Sequence, residues 1–209
     1  RPPRSTLFPY TTLFRSTLHG GRLLRNTNNA YEYYVDVANQ CLDFGGTNGA
    51  VQLVGVGGMT GTAAYTLEAW VFQRTSATQV IAGNNYSDGS GIQGYFLTLD
   101  AGGVLRGTRM RDGVQTQVTS PAGAVPLTTW THVAVTISSN KLVNYYINGN
   151  PAGSWDGTGR DFSFTSTVRL GANGFRAFDG LLDNVQIWSR ELSAAEILVN
   201  LKQPLSGSE

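Results

Sequence analysis

The sequence is short of charge, thiols, imidazoles and lysines, and each shortage closes off a class of function. Charged residues make up 14% of its 209 positions, against roughly 25% in an average soluble domain. The lone cysteine, Cys41, excludes an intrachain disulfide and any cysteine-based metal cluster. His19 and His132 are the only histidines, which leaves little material for transition-metal or catalytic-triad arrangements. Lysine occurs only at Lys141 and Lys202, so the positive charge is almost all arginine. No apolar stretch approaches the ~20 residues that a spanning helix needs, so no membrane insertion is expected. No phosphate-cradling glycine loop, zinc-ligand spacing or aromatic RNA-binding motif occurs, so no nucleic-acid partner is expected either.

What the chain does have is turn material between short apolar runs. Glycine numbers 26 and 41% of residues are apolar, enough for one core and for many tight connections. From Asn39 onward, alternating runs separated by turn residues predict about a dozen short strands, the pattern of an all-β sandwich. In Tyr65 to Arg74, Leu67, Ala69 and Val71 fall on one face and Glu68, Trp70 and Phe72 on the other. Asn148-Gly149-Asn150 is the clearest hairpin signal, and Asp100 to Gly103 marks another. Helical periodicity appears only from Ser193 to about Leu201. There Ser193 and Glu196 form a capping box, with Leu192 and Ile197 as a hydrophobic staple.

The run Phe178 to Ile197 carries the most information. It reads as a closing strand that feeds straight into the capped helix. Leu181, Val185 and Ile187 alternate on one strand face, and Asp183 lies on the same phase. An isolated carboxylate among core positions is costly to bury, so Asp183 is a candidate metal ligand. An Asp bonded to backbone amides at a strand bend is the alternative.

The first residues read differently. Thr6 to Ser16 resembles the in-frame translation of a common sequencing-library adapter, so residues 1–16 are set apart from fold reasoning. On that reading the true N-terminus, with any signal peptide, lies upstream of an assembled contig end. Residues 1–25 hold five of the fifteen basic residues and none of the fourteen acids. Without them the formal charge is −4 rather than +1, and the basic isoelectric point no longer speaks for an anionic partner. Residues 17–38 read as a linker or remnant of a preceding region, with Tyr31 to Val37 a candidate edge strand. The domain proper covers 39–203, and 204–209 form a tail.

Five segments in order resemble laminin-G-like, concanavalin-A-like jelly-roll domains: Leu42 to Asn48, Tyr65 to Val71, Trp130 to Thr136, Tyr146 to Gly149, and Arg169 to Ala172 with the closing run. The resemblance implies a two-sheet antiparallel jelly-roll sandwich with one short C-terminal helix. It also implies an extracellular or cell-surface module of a larger protein, binding a glycan or protein ligand without catalysis. Relatives often hold a structural Ca²⁺ between an Asp at the start of the closing strand and carbonyls near the first strand. Calcium takes six to eight oxygens. Here Asp183, carbonyls near Gly45 and Gly46, water, and Asp43 as a second ligand would supply them. Gly45 stands where the family's first motif commonly has another acid.

Ligand contacts are expected at the sandwich edges. The loop from Asn84 to Asp88 offers Asn85, Tyr86 and Asp88, and the loop from Trp155 to Asp161 offers the Trp155 ring; such mixtures can stack on a sugar and bond its hydroxyls. Turn chemistry alone would also explain them. Arg109 and Arg111 share a strand face and can grip a carboxylate or sulfate in bidentate fashion, unless they only mark a solvated outer face. A glycoside hydrolase needs two acids about 5–9 Å apart. Glu68 has no second acid within its strand, so it is expected to pack structurally, and no catalytic residue is expected. The other readings are a structural or adhesive spacer of a large secreted or surface bacterial protein, and a degenerate hydrolase fragment.

Overall fold

The structure is a computed structural model that describes residues 11–14, 23–25, 32–34, 41–46, 50–53, 64–83, 86–87, 92–111, 114–158, 168–171 and 176–202. In chain order the strands are β1 (Thr11–Phe14), β2 (Leu23–Arg25), β3 (Glu32–Tyr34), β4 (Leu42–Gly45), β5 (Val51–Leu53), β6 (Tyr65–Gln73), β7 (Gln79–Gly83) and β8 (Tyr86–Ser87). They continue with β9 (Ile92–Asp100), β10 (Val104–Arg111), β11 (Val114–Thr119), β12 (Thr131–Ile137), β13 (Leu142–Ile147), β14 (Asn150–Asp156), β15 (Val168–Leu170) and β16 (Asp179–Trp188). One helix, α1 (Ala194–Lys202), follows.

The strands form two stacked antiparallel sheets, the expected jelly-roll sandwich. The first has the order β1-β16-β6-β12-β13-β14, with β4 also on β16; the second runs β11-β10-β9-β7-β15-β5, with β8 beside β9. Residues Asp179 to Leu182 of β16 pair with β4, while Val185 to Trp188 pair with β1. Thr11–Phe14, within the adapter-like segment, thus continues the sheet edge that β4 begins. Glu32–Tyr34 pairs with Leu23–Arg25 in a separate two-stranded sheet, not along a sandwich edge.

Alternation builds the core. Leu67, Ala69 and Val71 of β6 face Leu97 and Leu99 of β9 between the sheets, with Val133, Val135 and Ile137 of β12 beside them. The Tyr95 and Tyr145 hydroxyls meet across the sandwich in a hydrogen bond. They do so above Gly107, where an added Cβ would lie 1.7 Å from the Tyr145 oxygen.

The closing strand departs from the expected phase. Leu182, not Leu181, is in the core, together with Val185 and Ile187. The reason is a β-bulge: Asp183 is opposite Trp70 and Gln186 opposite Glu68, so two residues of β16 oppose Ala69 alone. Asn184 takes a left-handed φ of 48° there, a conformation Asn tolerates better than most residues. Even-numbered residues therefore face inward before the bulge and odd-numbered ones after it. Asp183 and Trp188 both end on the outer face of the first sheet.

Helix α1 closes over that outer face. Ser193 Oγ accepts the Glu196 amide (3.3 Å), and Glu196 Oε2 accepts the Ser193 amide (2.8 Å), completing the capping box. Leu192 and Ile197, the expected staple, pack with Ala134, Tyr146 and Trp188 in a second apolar cluster. Thr66 Oγ accepts the Leu192 amide and donates to the Arg190 carbonyl, pinning the strand-to-helix turn to β6.

Candidate functional site

The outer face of the β16-β6-β12 layer collects most of the chain's chemistry. Three rows of side chains cross it. Trp70 lies between Asp183 on β16 and His132 on β12, and Glu68 lies between Gln186 and Ala134. Phe72 is opposite Leu181, and its ring lies 5.5 Å from that of Trp130. The Trp70 and His132 rings meet edge to face at 5.6 Å. Trp70, Phe72 and Trp130 are half-buried, a strip of aromatic surface that is neither core nor fully solvated. Strand alternation put Trp70 and Phe72 there, and the β6–β12 register brought Trp130 beside them.

One end of the strip runs under α1 into a buried polar cluster. Glu68 is fully buried, and its Oε1 accepts hydrogen bonds from Trp188 Nε1 (2.9 Å) and from Asn200 Nδ2 on the helix (2.7 Å). Its Oε2 has no hydrogen-bond partner among the described residues and lies 3.6 Å from His132 Nε2. Burial pushes the Glu68 carboxyl up to about 7 against the opposing pull of those two bonds. Burial also pushes His132 down to about 4. Burial thus favours the neutral form of each group. Among the described residues, His132 Nδ1 and Gln186 Oε1 also lack hydrogen-bond partners.

The other end of the strip carries charge. Arg74 Nη1 is 2.7 Å from Asp43 Oδ1 and Nη2 is 2.9 Å from Oδ2. The same Nη1 lies 3.2 Å from the Phe44 carbonyl and 3.6 Å from Asp179 Oδ1.

The expected metal donors do not come together. Gly45 is opposite Asp179, not Asp183, and Asp183 lies four residues farther, about 13 Å along an extended strand. Asp183 is buried, and its Oδ1 accepts the Asn184 amide (2.8 Å), which matches the strand-bend alternative. Asp43 is engaged by Arg74. Among the described residues, no group of three or more His, Cys, Asp or Glu is placed to hold a metal ion. Among the described residues, Asp183 is thus not brought to the Gly45 end of β4, where Asp179 stands instead.

The expected ligand contacts are also redistributed. Arg109 is buried, on the phase of β10 that carries Leu105 and faces the opposite sheet, so it is not on a solvated outer face. Arg111 pairs through its backbone with Val114 at the end of β10. Trp155 is half-buried against the inter-sheet core beside Val143. Tyr86 pairs with Gln93 through β8, while Asn85 and Asp88 lie outside the described residues. Sequence reasoning placed Glu68, Trp70 and Phe72 on one face but missed that Trp130, His132 and Asp183 join them. No helix among the described residues is long and apolar enough to cross a membrane.

Residues 44–198 match a family model described as the concanavalin A-like lectin/glucanases superfamily, and the chain belongs to it. No curated protein sequence matches. Among solved structures, it resembles the Ruminococcus gnavus IT-sialidase CBM40 bound to alpha2,3 sialyllactose at 20% identity and a TM-score of 0.64, covering 78% of this chain and 97% of that one. It also resembles the SAP-like pentraxin of Limulus polyphemus, at 18% identity and TM-score 0.57, over 78% of this chain and 84% of that one. The binding domain of Paraclostridial Mosquitocidal Protein 1 matches at 16% identity and TM-score 0.63, over 91% of this chain and 47% of that one. At these identities the likeness is one of fold.

Proposed function

We propose that this member of the concanavalin A-like lectin/glucanases superfamily is a non-catalytic recognition module that seats a glycan on the outer face of β16, β6 and β12. The observation that carries the reading is the half-buried strip of Trp70, Phe72 and Trp130, in which Phe72 packs on Trp130 and Trp70 on His132, outside the inter-sheet core. Aromatic faces stack on the C–H side of a sugar ring, while polar groups at the rim choose among hydroxyl patterns. Glu68 is a poor catalytic acid here, since α1 covers it and both bonds to its Oε1 come from structural partners. The Ruminococcus gnavus module of the same fold is one that was solved with a bound sialyllactose. The reading sets the domain outside the cell, joined to other domains of a larger protein.

A glycan array probed with the full chain tests this, alongside Trp70→Ala and Trp130→Ala. Each substitution is expected to weaken binding by about 5- to 150-fold, taking stacking of a sugar on one ring to be worth the about 1–3 kcal/mol of a stacked base. Circular dichroism confirms that each variant is folded. Binding that survives both substitutions moves the site elsewhere. An array that stays blank with the unaltered chain favours the spacer reading.

A further inference from the structure

We infer that the Arg74 guanidinium is this domain's built-in cation, taking the cross-linking part that a structural metal would otherwise play at the start of the sandwich. Arg74 directly follows β6, whose neighbour β16 begins at Asp179 and carries β4 on its far edge. Oxygen ligands from both of those strands converge on it: the two Asp43 oxygens, the Phe44 carbonyl and the Asp179 carboxylate. The Arg74 amide also donates to the Asp179 carbonyl (2.9 Å), so side chain and backbone bind the same partner.

Such a set of carboxylates and carbonyls is what a hard divalent cation seeks. Here a planar fork with five N–H donors meets it instead, in the bidentate geometry that a point charge cannot reproduce. The surroundings hold the acids in place. Gly46 donates to the Phe178 carbonyl (3.0 Å) in a left-handed conformation, φ 71°, and Gln79 Oε1 accepts the Asp179 amide (2.6 Å). Asp43 raises the affinity of Arg74 for its proton, so the cation is permanent at any working pH.

Melting temperatures of the full chain in EDTA and in millimolar Ca²⁺ test the inference, for the unaltered protein, Arg74→Gln and Arg74→Lys. The unaltered protein is expected to melt at one temperature in both solutions. Arg74→Gln should melt about 2–4 °C lower in EDTA, the fall that about 1 kcal/mol produces in a chain of this size. Calcium should restore part of that loss, because Asp43, Asp179 and the Phe44 carbonyl are then left facing one another. Arg74→Lys, keeping the charge without the fork, should fall between the two. A chelator-sensitive unaltered protein overturns the inference. So does an Arg74→Gln variant that melts like the unaltered chain, or whose loss calcium does not reduce.

Discussion

Replacing His132 should expose a pH dependence of stability that the folded protein conceals. Glu68 titrates near 7 when folded, against an ordinary value of 4.5. A carboxyl raised in this way contributes stability that is complete below 4.5 and is lost as pH rises through 7. At about 1.4 kcal/mol per pH unit, the loss across that window is roughly 3 kcal/mol. His132 acts with opposite sign. Its folded value of about 4 lies below the ordinary 6.5, so its contribution is present above 6.5 and lost as pH falls through 4, again by roughly 3 kcal/mol. Between about pH 4.5 and 6.5 the folded pair holds one proton, on Glu68, and the unfolded pair also holds one, on His132. The two slopes cancel. Urea unfolding midpoints of the full chain, at half-unit steps from pH 4 to 7.5, should therefore differ little on account of this pair. In His132→Gln the stability relative to the unaltered protein should fall by about 3 kcal/mol from pH 4 to 6.5. In Glu68→Gln it should rise by a similar amount from pH 4.5 to 7. Difference curves remove the contribution of the other acids. If His132→Gln and the unaltered chain run parallel across the window, the neutral-pair reasoning is refuted.

Two further substitutions probe the scaffold. Gly107→Ala should cost about 3 kcal/mol or more, because the new methyl would collide with the Tyr145 hydroxyl 1.7 Å away and break its contact with Tyr95; near-unchanged thermal stability would mean the two tyrosines can move apart. Ser193→Ala removes the cap of α1 and should cost about 1 kcal/mol, read as a fall of about 2–4 °C in melting temperature; Ser193→Asp should restore most of it.

How much of this was legible depended on whether a feature is local. The β6 alternation and the Ser193–Glu196 cap are written in consecutive residues, and both folded as read. The phase of β16 was misread because alternation carries no mark for an inserted residue. One signal was present: Leu181 and Leu182 are adjacent, so one of them had to break the phase, and Asp183-Asn184 is a pair suited to a left-handed kink. Arg109 was judged by its charge, although Leu105, Gly107 and Arg109 share one parity. The aromatic strip needed information that no window holds. Phe72 and Trp130 meet only because β6 and β12 pair across almost sixty residues, a matter of topology. Likewise Asp179 rather than Asp183 came to face Gly45 through the register of β16 against β4.

The position of α1 gives the domain's C-terminal limit a chemical meaning. A chain cut short of Asn200 would lose more than a few apolar contacts, since Glu68 would be opened to water and stripped of an amide donor. That carboxyl would then ionise like any surface acid, and the face around Trp70 would gain negative charge. Truncation at this end would thus rewrite what the surface attracts, even where the sandwich itself survived.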